Sequence, residues 1–361
     1  MPTNVYNFSA GPATLPKSVI DQITDRLGNF TDGMSIMEIS HRSAAFKDFA
    51  SESESNLRSL LQIDDSYAVL FLQGGATQQF SMVPMNLANQ GTVDYLVTGA
   101  WSKKAANYAK YHCNLNIVAD SSDNNFIDIS DPAEWVNSKN AEYFYYCANE
   151  TIHGLEIHDI PEVNVPVVSD MSSTLCTRPI KIEKYSLIFA SAQKNLGIAG
   201  LTIVIVKKEL INGKAEHLPP LLRYESHSLD NSMLNTSPVF AWYVAGLVFN
   251  WIIAQGGLQS MSKLNQEKSS LLYDFIDSSE FYKNPVNPKY RSWVNIPFTL
   301  TSNNLDERFL NEASNEGLMN LKGHRTVGGM RASVYNAMPI EGVKKLIAFM
   351  ENFETNNIED V

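Results

Sequence analysis

Three short stretches of the chain hold residue types suited to chemistry on a small anionic molecule. In Gln73-Gly74-Gly75-Ala76-Thr77-Gln78, two glycines separate an apolar run from a helical one. Glycines there let the backbone turn sharply and approach a ligand, and the free N–H groups of a helix start favour an anion. The stretch fits neither the dinucleotide fingerprint nor the P-loop, so it supports no nucleotide. In Ser169-Asp170-Met171-Ser172-Ser173 an acid closes an apolar run, where an α/β sheet gathers its ligand crevice. In Phe189-Ala190-Ser191-Ala192-Gln193-Lys194-Asn195-Leu196-Gly197 an apolar run leads straight into a lysine, whose burial would lower its pKa and make its amine a nucleophile. Read singly, each has a plain alternative: a strand-to-helix turn, a capping carboxylate, a solvated surface lysine.

Together the three converge on a pyridoxal-phosphate site. The glycine turn would hold the phosphate, Asp170 would keep the pyridine nitrogen protonated, and Lys194 would form the Schiff base. Trp101, in Gly99-Ala100-Trp101-Ser102 just past another apolar run, offers a face to stack on the ring; a core tryptophan is the other reading.

The elements that must position these residues are legible as strand-sized apolar runs: 67–72, 93–97, 116–118, 143–148, 165–169, 187–190 and 201–206. Most lack polar alternation, which predicts strands covered on both faces, as in a parallel sheet flanked by helices. Amphipathic segments at 44–61, 77–89 and 103–111 alternate with them, the punctuation of an α/β domain. Beyond about residue 236 the texture changes. A long apolar helix over 238–253 stops at Gly256-Gly257, a second helix spans 261–278, and strand 293–300 and helices 305–316 and 340–354 follow. This predicts a smaller α+β unit. The expected division is a large domain over 16–260 and a small one over 261–361, with segment 1–15 packing near the latter.

The balance of 28 Lys+Arg against 39 Asp+Glu gives a net charge of −11. That excludes non-specific binding to nucleic acid or an anionic membrane, which needs an excess of cations. An acidic protein with an anionic substrate must concentrate its cations at one place. Hydrophobic residues at 44% and charged residues at 19% indicate a globular chain. Cys113, Cys147 and Cys176 form no CxxC pair and have no clustered His partners, so no metal site is expected and a reducing cytoplasm is. No secretory signal opens the sequence, and no apolar run reaches the roughly 18–20 residues of a membrane span.

Several longer motifs then carry a resemblance that runs from Asn7-Phe8-Ser9-Ala10-Gly11-Pro12 to the Gly328–Ala337 stretch. The most specific are Glu38-Ile39-Ser40-His41-Arg42-Ser43, Ala148-Asn149-Glu150-Thr151-Ile152-His153-Gly154, and Gly328-Gly329-Met330-Arg331-Ala332-Ser333-Val334-Tyr335-Asn336-Ala337. On these the chain resembles the phosphoserine aminotransferase family of class V aminotransferases. The resemblance implies a fold-type I pyridoxal-phosphate-dependent transferase, with a mostly parallel seven-stranded sheet in the large domain.

It also implies roles. Lys194 would be the Schiff-base lysine, Asp170 the partner of the ring nitrogen, Trp101 the stacking residue and Thr151 a donor to the phenolic oxygen. Gly75, Ala76, Thr77 and Gln193 would hold the phosphate, with Asn235 and Thr236 reaching it from a neighbouring subunit of a homodimer with shared sites. Some members carry an arginine close after the glycines; here Ala76-Thr77 follows. Arg331 would clamp the α-carboxylate, with Ser9 and His41 nearby. Arg42, His324 and Arg325 would receive the distal phosphate or γ-carboxylate, since planar arginine suits such groups. The implied reaction is ping-pong transfer of an amino group from L-glutamate to 3-phosphohydroxypyruvate, giving O-phospho-L-serine and 2-oxoglutarate in serine biosynthesis. Formation of 4-phosphohydroxy-L-threonine, on the route to pyridoxal phosphate, is the further implied activity. Among rival readings, a cysteine desulfurase would need a cysteine in the C-terminal region. A transaminase of small substrates would not need Arg42, His324 and Arg325 beside Arg331. A dehydrogenase would need the absent dinucleotide fingerprint.

Overall fold

The computed structural model describes residues 5–357, so the first four and last four residues of the expected terminal segments lie outside the described residues. All seven apolar runs become strands of one sheet, in the spatial order Tyr67–Gln73, Leu201–Lys207, Leu187–Ser191, Val167–Asp170, Phe144–Cys147, Thr92–Val97 and Asn114–Asp120. Leu201–Lys207 runs antiparallel to both its neighbours, and the other pairings are parallel. Six strands therefore point their carboxyl ends at one edge of a mostly parallel sheet.

The helices, in chain order, are α1 (Lys17–Arg26), α2 (Ala44–Leu61), α3 (Ala76–Leu87), α4 (Ala100–Ala109), α5 (Tyr224–Leu229), α6 (Val239–Ala254), α7 (Gly257–Ser278), α8 (Asp306–Asn315) and α9 (Ile340–Asn357). Alternate strand residues feed two cores. Ala68, Leu70 and Leu72 pack with side chains of α3 and α4, whereas Tyr67, Val69 and Phe71 pack with α2 and α6. This two-sided burial explains the unbroken apolar runs. Helix α6 is buried from Ala241 through Phe249, so it has no polar face, and Phe71 stacks on its Trp242 with ring centroids 4.2 Å apart. The two glycines after α6 make a corner rather than a loop. Gly256 and Gly257 have φ of +91° and +72°, and α7 starts at Gly257, turned 84° from α6. Among the described residues no single helix is long and apolar enough to cross a membrane.

A second core surrounds the antiparallel sheet Tyr282–Lys283, Asn295–Leu300 and Met330–Ser333. Phe298, Phe309, Phe349 and Phe353 fill it, together with side chains of α7, α8 and α9. The large sheet domain is thus joined to a smaller C-terminal α+β domain. Phe8 enters this second core, and Tyr6–Asn7 pairs in parallel with Leu318–Met319. The segment preceding α1 is thereby tied to the far end of the sequence. Helix α1 and the strand Met330–Ser333, which carries Arg331, are not read from the sequence pattern.

Candidate active site

The residues with chemical potential sit where strands end. Asp170 is the last residue of its strand, Lys194 lies three residues beyond Ser191, and Trp101 opens α4 after Thr92–Val97. Gly75 is the residue before α3, and Gly74 turns with φ +103°, a conformation that favours glycine.

The α3 start is electrostatically open. Gln78 N–H donates to Gly75 O at 2.9 Å and Gly74 N–H to Gly200 O at 3.1 Å. The Gly75, Ala76 and Thr77 N–H groups have no acceptor among the described residues, as expected of an uncapped helix start. Ser191 closes one side of this turn, its hydroxyl donating to Gln193 Oε1. Its Oγ lies 3.6 Å from where a Cβ on Gly75 would stand.

Lys194 is half-buried and its Nζ has no hydrogen-bond acceptor among the described residues. The Nζ lies 5.8 Å from the Trp101 ring centroid. Burial lowers its pKa, while the charges of Asp170, Cys147 and Glu150 act the other way. Gly11 lies against its stem: a Cβ there would stand 3.6 Å from Lys194 Cγ. Gly11 N–H donates to Ser9 Oγ at 3.3 Å, so Ser9 is on the same loop. Asp170 is buried, and its Oδ1 accepts from Ser172 N–H at 2.9 Å. Burial pushes its carboxyl up, with Lys194 and Ser172 opposing.

Thr151 links two further predicted residues. Its Oγ1 accepts from Trp101 Nε1–H at 2.9 Å, and its carbonyl accepts from an Arg331 terminal nitrogen at 3.1 Å. Arg331 Nε is buried with no partner, an orphaned cationic donor that calls for an anion. His324 lies close enough to Arg331 and Arg325 for their charges to lower its pKa, after burial. Its ring bonds Thr326 Oγ1 at 2.8 Å, and Arg325 is exposed.

The chain does not bring every predicted residue together. Arg42 is exposed, and His41 is buried with Nε2 unpartnered. No hydrogen bond or ion pair joins either to Lys194, Asp170 or Arg331. Thr236 meets the cradle's approach through its carbonyl, which accepts from the Gln73 amide, and the Asn235 side chain makes no hydrogen bond among the described residues. Sequence reasoning also missed three neighbours. Lys104, one turn after Trp101, places Nζ 3.5 Å from Thr77 Oγ1 and 5.7 Å from the Trp101 ring centroid. Glu150 is fully buried and accepts from Trp101 N–H. His153 packs on Phe126 with Nδ1 unpartnered. Spacing from Trp101 signals Lys104; the other two stand in the 148–154 motif, which supplied a role for Thr151 and none for them.

What the cleft leaves open fits a planar ring bearing a phosphate and a basic ring nitrogen. It holds free N–H groups at a helix start, a buried carboxylate and an unpaired amine beside an indole face. Among the described residues no cluster of His, Cys, Asp and Glu could hold a metal ion.

Comparison with known proteins agrees with this geometry. The family profile described as Aminotransferase class-V matches residues 5–346. A phosphoserine aminotransferase of Idiomarina loihiensis is 49% identical over 356 residues, covering 98% of this chain and 99% of its own. The solved structure of a phosphoserine aminotransferase from Bacillus circulans subsp. alkalophilus superposes with a TM-score of 0.96 at 40% identity, covering 98% of this chain and 99% of that one. A PLP-bound phosphoserine aminotransferase from Trichomonas vaginalis superposes with a TM-score of 0.93 at 39% identity, over 96% and 100% of the two chains. The chain belongs to the class V aminotransferase family, among the phosphoserine aminotransferases.

Proposed function

We propose that this chain uses pyridoxal 5'-phosphate to transfer the amino group of L-glutamate reversibly to 3-phosphohydroxypyruvate, giving O-phospho-L-serine and 2-oxoglutarate, a step of serine biosynthesis. The observation that carries the reading is the meeting, at one sheet edge, of the open α3 start with Lys194 and Asp170. Relatives of near half identity along their whole length support the substrates.

When bound, the cofactor supplies an electron sink for bond breaking at the substrate Cα. The Gly75, Ala76 and Thr77 N–H groups hold its phosphate, with Gln193 alongside. Asp170 holds the ring nitrogen's proton, and the Trp101 face orients the ring. Thr151 Oγ1 already accepts the Trp101 indole proton, so its own hydroxyl proton is free to donate to the phenolic oxygen. The lowered pKa of Lys194 leaves Nζ able to take the Cα proton and return it. Arg331 receives the α-carboxylate through its unpaired Nε, beside Ser9. His324 and Arg325 receive the distal anion. Both substrates use one site in turn, which gives ping-pong kinetics.

Arg42, His41, Asn235 and Thr236 complete the site of a second subunit in a homodimer. The exposure of Met34 and Met37 at 42% and 63%, just before His41, and of Leu229 at 76% before Asn235, supports such an interface. The domain boundary falls at 260/261. The two cores support a division within α7, which packs in one through Leu258 and Met261 and in the other from Leu272 onward. Three free thiols suit a reducing cytoplasm.

Lys194→Ala is expected to abolish transamination and the visible absorbance of the purified protein; a variant that still turns over overturns the assignment. Steady-state kcat/KM with glutamate on 3-phosphohydroxypyruvate, on 3-hydroxy-2-oxo-4-phosphonooxybutanoate and on glyoxylate tests the substrates. Activity on glyoxylate with neither phosphorylated acid used would sink the distal-anion pocket.

A further inference from the structure

Trp101 is held at two points by two consecutive residues. Its backbone N–H donates to Glu150 Oε2 at 2.8 Å, and its indole Nε1–H donates to Thr151 Oγ1 at 2.9 Å. Glu150 does more than touch this residue. Its Oε1 accepts from Ser102 N–H at 2.7 Å and Ser102 Oγ–H at 2.6 Å. Ser102 Oγ in turn accepts from the N–H groups of Thr98 and Gly99 at 2.9 and 3.1 Å. The turn that launches α4 is therefore wound around one fully buried carboxylate. Gly99 makes room for it: a Cβ there would stand 2.3 Å from Glu150 Cδ.

Such a carboxylate at a helix start satisfies the first N–H groups and the local dipole. Its place in sequence gives it a second consequence. Glu150 and Thr151 lie on the turn whose next contact is Arg331, so the indole is registered against the same piece of backbone that anchors the guanidinium. We propose that Glu150 is a positioning residue, fixing the tilt and height of the Trp101 ring over the Lys194 cleft. The inference rests on the reading of Trp101 as the ring-stacking residue.

The test compares Glu150→Gln, Trp101→Leu and the double variant, because leucine removes the stacking face that phenylalanine would keep. Glu150→Gln is expected to lower kcat roughly tenfold, as for small misplacements of an orienting group. KM for glutamate should stay within about twofold, because Arg331 is untouched. The visible circular dichroism of the bound cofactor should change, and in cofactor-free protein the fluorescence component lost in Trp101→Leu should shift. In the Trp101→Leu background, with no ring left to place, Glu150→Gln should add nothing to any of these. An effect that persists in the double variant overturns the proposal, as does a fall in kcat with both spectra unchanged. Trp101→Leu with wild-type kcat and dichroism would remove the ring-stacking reading itself, a separate outcome. Should Glu150→Gln fail to fold, Ser102→Ala removes one donor to Glu150, and the acceptor of the Thr98 and Gly99 N–H groups, and leaves the two backbone bonds to the carboxylate. It is expected to shift the same spectra less, and only when Trp101 is present; a shift without Trp101 overturns the proposal equally.

Discussion

Two helices leave the same edge of the large sheet and begin in opposite electrostatic states. At the start of α4, the Trp101 and Ser102 N–H groups are taken by the carboxylate of Glu150. At the start of α3, the Gly75, Ala76 and Thr77 N–H groups have no acceptor among the described residues, and the cation of Lys104 lies 3.5 Å from Thr77 Oγ1. Both starts are glycine turns with similar dipoles. The chain fills one with its own anion and leaves the donors of the other free, an arrangement that suits the phosphate proposed at α3 and fixes the indole-bearing backbone at α4.

The most damaging way to break this contrast is to give α3 its own anion. Gly75 has φ −137° and a Cβ there meets only Ser191 Oγ at 3.6 Å, so Gly75→Asp is sterically tolerable. It is expected to weaken pyridoxal phosphate binding by about a hundredfold through like-charge repulsion. It should also leave the cofactor-free protein a few tenths of a kcal/mol more stable, because aspartate is the better N-cap. Equilibrium dialysis and thermal melts read the two effects, and a loss of both affinity and stability would contradict the comparison.

A smaller effect comes from crowding the filled start. In Gly99→Ala the new methyl meets the Glu150 carboxylate at 2.3 Å, while the backbone there, φ 174°, suits any residue. Overpacking of this kind costs about 1–3 kcal/mol. The midpoint in urea should fall, with a loss of visible dichroism; an unchanged midpoint would mean the carboxylate is not fixed there.

The smallest concerns His153, which shares a turn with Glu150 through its N–H to the Glu150 carbonyl at 3.1 Å. Burial, then the neighbouring His324, lowers its pKa from 6.5 to about 4. Below 6.5 the unfolded chain takes up a proton that the folded chain refuses until about pH 4. This contribution to stability is therefore complete above 6.5 and is lost as pH falls between those values. His153→Phe should flatten the slope of melting temperature against pH in that window, and a slope as steep as the parent's would refute it.

Much of this contrast was already written in the sequence. Fully buried strands of β-branched and aromatic residues between glycine turns are visible without coordinates, and so are Lys194 and Asp170 at their ends. Other features depend on where distant parts of the chain come to rest. The direction of Leu201–Lys207 is hidden because a buried antiparallel strand has the same composition as a parallel one. Helix α1 buries only Val19, too little for a periodic signal. Gly256-Gly257 reads as a helix stop, yet glycine's freedom at positive φ serves a corner equally well. Glu150 stands in the 148–154 motif without a role until the fold carries it to residues 48 and 49 positions earlier.

The tie between the beginning and end of the chain has a consequence for synthesis. Tyr335 holds the Ala10 carbonyl at 2.8 Å across 325 positions, and Asn320 holds Asn7 across 313. The loop bearing Ser9 and Gly11 packs beside Lys194 and waits for these late partners. Chains emerge from the ribosome at about 5–20 residues per second, and early segments fold first. The large sheet can therefore form while the wall beside Lys194 is still missing. The loop beside Lys194 gains its anchor only when the strand carrying Arg331 and the following Tyr335 have emerged, so the proposed clamp for the substrate and the wall beside the amine arrive together.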